Sequence, residues 1–234
     1  MALPNLNTVT YDLKLPSSGQ KIEYRPFLVK EQKALMIAQE SGEDAQIEKA
    51  FAQIINDCVL DDVDPYILPM FDIEYVFLRI RCKSVGEKVK LSVLCPDDKK
   101  TRVEVEVNLE EVDVHMSVDH NNIIELSDGI SVIMKYPCLG DMSGFNEDGE
   151  VKSLFEMIKR CVSEVRQGDT IYNRVDITDK ELDEFIDSMS AENFEQVTNF
   201  FNTMPKLIHV VEVKNPKTKK KSEVPIEGLQ NFFV

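Results

Sequence analysis

Paired runs of alternating apolar residues constrain this chain more than any other feature of its sequence. Apolar and polar residues alternate over residues 89–95 and again over residues 103–107. The segment between them, Pro96-Asp97-Asp98-Lys99-Lys100, consists of a turn former followed by charged residues. Alternation on both sides of such a segment is typical of a β-hairpin. The fold must therefore contain antiparallel strands joined by a charged tip.

The same pattern predicts three more hairpins. Each consists of two short apolar runs separated by residues that favour turns. These hairpins are residues 9–15 and 21–24 around Pro16-Ser17-Ser18-Gly19, residues 123–126 and 130–134 around Ser127-Asp128-Gly129, and residues 207–213 and 222–226 around the polar tip 215–221.

Helical periodicity fills much of the remaining chain. Thr178 and Glu181 have the spacing of a capping box, which favours the start of one of these helices. Strands and helices occur in separate blocks, so we predict an α+β fold in which β-hairpins accompany a largely helical body. The predicted helices cover residues 34–58 as two helices, 73–84, 154–165, 182–186 and 194–204.

With 234 residues the chain can bury a core as one or two compact units. We expect three segments along it. Residues 1–84 hold the N-terminal hairpin with its helices, and residues 85–137 are rich in strands. Residues 138–234 form a helical segment that closes with a C-terminal β-hairpin.

The charge balance argues against nucleic acid and membrane partners. There are 42 acidic and 27 basic residues, a formal net charge of -15, which repels phosphates and anionic lipid. No apolar stretch approaches the ~20 residues of a membrane span, and the N-terminus lacks the pattern of a secretion signal. We therefore expect a cytoplasmic protein.

A basic run, Lys217 with residues 219–221, is open to two interpretations: a solvated hairpin tip or a contact with an acidic partner.

The tip of the hairpin at residues 89–107 has part of the pattern of a zinc knuckle. Zinc knuckles place Cys-Pro-x-Cys at such a tip, since two thiolates so spaced can bind one ion. Here Cys95 and Pro96 begin the pattern, but Asp98 occupies the position of the second cysteine, and the tip at residues 215–218 has no cysteine. We interpret both as zinc-free ribbon hairpins and predict no metal and no cofactor. A metal site built from Cys95 and acidic groups is the less favoured alternative.

No catalytic motif is present in the sequence. Nucleophilic catalysis needs a Ser or Cys beside a His and an orienting group, and the histidines are His115, His120 and His209. None of them belongs to a recognisable hydrolase, phosphate-binding or zinc-protease motif. We therefore predict that the chain is not an enzyme.

Several segments resemble the baseplate hub assembly proteins of T-even-type bacteriophages. The most specific are residues 24–31, with the sequence YRPFLVKE, residues 71–75, with FDIEY, residues 81–86, and the closing EGLQNFF. The resemblance extends over residues 3–233. Members of that family often carry Cys-Pro-x-Cys-Gly at the hairpin tip that begins here with Cys95. This chain departs from that pattern at Asp97 and Asp98.

The resemblance implies a tail-assembly factor or hub component that acts by binding other tail proteins, with the tape-measure protein among the candidates. It also implies a late protein made in the host cytoplasm. A permanent structural subunit of the virion baseplate is the open alternative, and the oligomeric state is not specified. The apolar chain end needs a surface to cover it. The predicted partner-binding residues are Tyr24, Arg25, Pro26, Phe27, Leu229, Phe232 and Phe233.

Overall fold

The computed structural model describes residues 8–142 and 149–229 and confirms the α+β class. All strand pairs are antiparallel within the described residues. The helices are α1 (Val29–Ser41), α2 (Asp44–Cys58), α3 (Met70–Val85), α4 (Leu139–Met142), α5 (Glu150–Cys161), α6 (Asp179–Asp187) and α7 (Ala191–Thr203). The strands are β1 (Tyr11–Lys14), β2 (Lys21–Tyr24), β3 (Lys88–Leu94), β4 (Arg102–Asn108), β5 (Asp113–His115), β6 (Ile123–Glu125), β7 (Ile130–Met134), β8 (Val162–Gln167), β9 (Thr170–Asn173), β10 (Lys206–Lys214) and β11 (Lys221–Glu227).

The chain folds into two compact units, and the first of them is discontinuous. It combines Met1–His115 with Lys206–Val234, while Met116–Pro205 forms the second unit. Strand β10 joins the two parts of the first unit by pairing with β5, with Leu207 opposite Val114. The C-terminal hairpin β10–β11 therefore completes a sheet begun by β5.

Helix α3 lies at the centre of the first unit. Its apolar side chains recur every three or four residues, and Val76, Phe77 and Ile80 are completely buried. The rings of Phe77 and of Phe51 from α2 form a T-shaped pair with 4.5 Å between ring centroids. The inward-facing side chains of β3, β4, β10 and β11 pack into the same core, so the N-terminal helices and both ribbon hairpins share one apolar centre.

The second unit is built on a four-stranded sheet. The strand order is β6-β7-β8-β9, with each strand paired to its sequence neighbour. Val132 in the sheet, Ile158 of α5, Leu182 of α6 and Val197 of α7 are buried in one cluster. The helices thus supply the apolar cover for this sheet.

The prediction of a helix through residue 165 was wrong at its C-terminal end. Helix α5 ends at Cys161, and β8 begins at the next residue. Val162 and Val165 pair with Met134 and Val132 of β7. A spacing of three residues fits a helical face, whereas in a regular strand it would place the two side chains on opposite faces. Both are buried in β8 because the register against β7 shifts by one residue between them, opposite Ile133 and Met134. β-Branched residues also pack well on a pleated sheet, so the tertiary pairing decides the structure.

His115 lies in β5. Among the residues that the structure describes, no helix has the length and apolar character needed to cross a membrane.

Candidate partner-binding site

Tyr24 lies at the end of β2 inside the first unit. Its side chain is only 3% exposed and faces the ring of Tyr11, with 5.7 Å between centroids. An isolated bridge pairs Tyr24 with Val59, and the Arg25 N–H donates to the carbonyl oxygen of Cys58 at 2.9 Å. Burial raises the pKa of the Tyr24 hydroxyl. The structure therefore holds Tyr24 in the core of its own chain, and its role in partner binding stays a prediction.

The side chain of Arg25 forms an ion pair with a buried carboxylate. Its guanidinium is 2.7 Å from Glu31 Oε1, and the two side chains are 14% and 2% exposed. The other oxygen of Glu31 accepts the N–H of Leu28 at 2.8 Å, which satisfies a free donor at the start of α1. Burial acts to raise the pKa of Glu31, but the hydrogen bonds from Arg25 and Leu28 outweigh it and lower that pKa. This cluster fixes the turn from β2 into α1.

Phe27 lines a small groove between two helices, which we call the Phe27 groove. Its backbone N–H donates to Ser84 Oγ at 2.9 Å, and this contact places it beside the end of α3. The groove has a volume of 220 Å³. Its walls are Phe27, Gln32, Leu35, Met36, Gln39, Arg81 and Val85.

The exposed side of α1 carries apolar side chains together with the charged residues Lys33 and Glu40. Val29 is 79% exposed, and Met36 and Ile37 are each 54% exposed. The helix buries only Glu31, Leu35 and Ala38 among its described side chains. Met36 is both exposed and part of the groove wall, as an apolar contact point for another protein would be.

Leu229 is buried near the start of α3. It is 5% exposed, and its N–H donates to Glu74 Oε1 at 3.1 Å. Burial raises the pKa of Glu74, and the bond from Leu229 partly offsets this. Leu229 thus docks on its own unit, and its role towards a partner stays a prediction. Phe232 and Phe233 lie outside the described residues.

The two ribbon hairpins contact each other at their tips. Asn215 Nδ2 donates to Asp97 Oδ1 at 2.9 Å, and Thr218 Oγ1 donates to Asp97 Oδ2. Both tips share one backbone conformation, since Lys99 and Lys219 have positive φ angles and donate to the carbonyls four residues earlier. A carboxylate held by side chains of the second tip therefore fastens the hairpins together.

The side chains at the zinc-knuckle positions are engaged within the protein. Cys95 is 1% exposed, and burial raises the pKa of its thiol, which favours the protonated form. Asp98 accepts hydrogen bonds from Thr101 Oγ1 at 2.6 Å and from two backbone N–H groups. In the part of the chain that the structure describes, no group of three or more His, Cys, Asp or Glu side chains is arranged to hold a metal.

Acid is expected to loosen the paired tips. Hydrogen bonds from Asn215 and Thr218 lower the pKa of Asp97, so the folded state binds a proton there less readily than the unfolded chain. This contribution to stability is complete above the carboxyl pKa of an unfolded chain, about 4, and is lost as the pH falls through the lower folded value. Amide hydrogen exchange at residues 215 and 217–219, measured below pH 4, should accelerate beyond its intrinsic pH dependence.

The variant Asp97→Asn is the matched control for this prediction. An amide cannot titrate in this range, so the extra acid sensitivity at residues 215 and 217–219 should disappear. An unchanged acid response in this variant would show that another group controls the tips.

His120 lies in an aromatic cluster of the second unit. His120 stacks on Tyr136 and lies beside Phe200, with ring centroids 5.5 and 5.0 Å away, and its Nδ1 is 2.9 Å from Thr203 Oγ1. Burial lowers the pKa of His120 and favours the neutral ring. His209 lies in β10.

Sequence inspection identified Phe27 but missed the other walls of its groove. In the sequence, Met36 and Val85 belong to patterns typical of ordinary amphipathic helices. They come together in the groove because α1 packs near the end of α3. A useful signal was present in α1, where the apolar residues Val29, Met36 and Ile37 lie off the face that contains Leu35.

Comparison with known proteins supplies the family of this chain. A model of a protein family described as T4 bacteriophage base plate protein matches residues 8–234. Searches of curated proteins and of solved structures returned no match. The matched range includes the whole second unit, the first unit from residue 8 onwards, the Phe27 groove and both ribbon hairpins. The chain belongs to the T4 bacteriophage base plate protein family.

Proposed function

We propose that this protein is a baseplate hub assembly factor that acts by binding other tail proteins and not by catalysis. In this proposal it works in the host cytoplasm while the hub is assembled. The observation that carries the proposal is the Phe27 groove, whose wall includes the exposed apolar side chain of Met36, within a chain of the base plate family. The tape-measure protein is one candidate partner.

The chemistry of the groove favours an apolar anchor from a partner protein. Leu35, Met36 and Val85 offer apolar contact, Gln32 and Gln39 offer hydrogen bonds at the rim, and Arg81 adds a positively charged side chain to the wall. Met36 adds a side chain that adapts to different partner shapes. An interface with an apolar centre and a polar rim is the usual arrangement between proteins.

Introducing a charge into the groove is expected to disrupt binding. The variant Met36→Asp places a carboxylate on the apolar wall, and we expect about ten-fold less tail protein to be recovered, the size of effect seen when an interface hot spot is lost. The measurement is affinity purification of the tagged variant from infected cells, with mass spectrometry of the recovered proteins.

The control is Ile67→Asp, because Ile67 is 74% exposed and lies outside the groove. Equal losses in both variants would contradict a specific role for the groove. If wild-type protein recovers no tail protein, the proposed function itself is wrong.

Mass spectrometry of finished virions separates the assembly factor from its alternative. An assembly factor that leaves the baseplate is absent from purified particles, whereas a permanent structural subunit is present in them.

Deletion of residues 228–234 tests the predicted role of the chain end, including Leu229, Phe232 and Phe233. Unchanged folding, partner recovery and phage yield would contradict that role.

A further inference from the structure

Strand β9 is an edge of the four-stranded sheet in the second unit. Among the described residues it pairs only with β8, through a two-residue turn at Gly168 and Asp169. Alternate residues of an antiparallel strand direct their N–H and C=O groups away from the paired neighbour. Every residue of β9 is exposed to solvent, and Ile171 is 54% exposed. An exposed edge of this kind can accept another strand.

An apolar cavity of 330 Å³ opens beside this edge, between the sheet and α6. On the sheet side it is lined by Ile130, Val165 and Tyr172, and the last of these belongs to β9 itself. Ile177, Leu182 and Phe185 close the other side. Its volume is at the lower end of the range for ligand pockets, roughly 300 to 1,000 Å³, which suits one large side chain.

The charge at this cavity is negative. Asp176 and Glu181 are its ionisable lining residues, and no basic residue lines it. Glu181 caps α6 through Thr178, while Asp176 accepts a long hydrogen bond of 3.4 Å from Asn173. The whole unit, residues 116–205, has 18 acidic and 7 basic residues, so it carries -11 of the net charge of -15. A partner seated here meets a field that attracts cations.

We propose that β9 and this cavity bind an extended segment of a partner protein that carries a large apolar side chain next to lysine or arginine. The segment adds a strand to β9, its apolar side chain enters the cavity, and its basic residue faces Asp176. Pairing with the backbone of β9 fixes the direction of the bound segment, and the cavity binds its apolar side chain. The negative charge disfavours acidic segments. This surface belongs to a different unit from the Phe27 groove, so each can be tested without the other.

The test uses the purified full chain and a displayed library of random peptides about twelve residues long, enough to cover one edge strand. We expect the enriched peptides to combine a large apolar residue with a neighbouring lysine or arginine. The affinity of the best peptide is then measured by fluorescence anisotropy. The variant Asp176→Lys should weaken it about ten-fold, because like charges then face each other.

The matched control is Asp119→Lys, which makes the same charge change at an exposed position in the same unit but outside the cavity. It should change the affinity less than two-fold, since charges on separate parts of the surface are largely screened at about 0.15 M salt. Methylation of alternate backbone nitrogens of the peptide should abolish binding, because strand pairing needs those donors.

Three results would overturn the proposal. The first is no enrichment above a selection without protein, and the second is enrichment of acidic peptides. The third is an affinity that Asp176→Lys and Asp119→Lys change equally. If sedimentation shows self-association that the peptide reverses, the occupant of the edge is a second copy of this chain and the proposed partner is wrong.

Discussion

Replacing Arg25 with alanine is expected to destabilise the protein by about 3 kcal/mol, because it leaves a buried carboxylate without its main cation. The guanidinium of Arg25 is 2.7 Å from Glu31, whose side chain is 2% exposed. Lys30 is 3.1 Å from the same oxygen, but its own side chain is 64% exposed, so it compensates only in part. Urea denaturation of wild type and variant at pH 7 measures the difference in free energy of unfolding.

The control for this variant is Lys21→Ala. Lys21 forms an ion pair with Asp12 at 2.9 Å, and both side chains are more than 60% exposed. An exposed pair of this kind contributes little, about 0 to 1 kcal/mol. Equal losses in the two variants would contradict the special importance of the Arg25–Glu31 pair. The lowered pKa of Glu31 adds a second readout, since the wild type should lose this contribution as the pH falls through that folded pKa.

Replacing Phe77 with alanine is expected to have the largest effect of any single change discussed, a loss of about 3 to 5 kcal/mol. The Phe77 side chain in α3 is completely buried and forms a T-shaped pair with Phe51. Removing it leaves a cavity where the helices meet the ribbon hairpins. The free energy of unfolding comes from urea denaturation, and hydrogen exchange at the amides of β3 and β10 shows whether the core loosens locally.

An aromatic residue on the surface provides the comparison for Phe77. Tyr66 is 42% exposed in the connection between α2 and α3, so Tyr66→Ala should cost well under half as much. If Phe77→Ala costs less than about 2 kcal/mol, the core around α3 is less tightly packed than the structure shows.

The hairpins were predictable because each is encoded by neighbouring residues. Asp128 and Gly129 illustrate this, since both adopt the positive φ angles that an Asp-Gly turn requires, and β6 and β7 pair around them as expected. The contact between the ribbon tips was not predictable in the same way. Asp97 and Asn215 are 118 positions apart, and nothing near either residue specifies the other.

The sequence also could not show which side chains of the predicted partner-binding segment are buried. Tyr24 and Phe27 are both aromatic and only three positions apart. The structure buries Tyr24 and leaves Phe27 on the wall of a groove, because β2 ends at Tyr24 and the chain then turns into α1. Both residues are aromatic, so side-chain type alone does not show which one is buried. That depends on the turn between them, which the Arg25–Glu31 pair holds.

The discontinuity of the first unit has a consequence during synthesis on the ribosome. Strand β5 and the core residues of α3 emerge before residues 116–205, whereas their partner β10 follows those residues. At typical translation rates, this delay lasts about 5 to 18 seconds. During that interval the second unit is still being synthesised, and the edge of β5 and part of the first core lack their cover. The nascent chain is then open to non-native pairing until the C-terminal hairpin arrives.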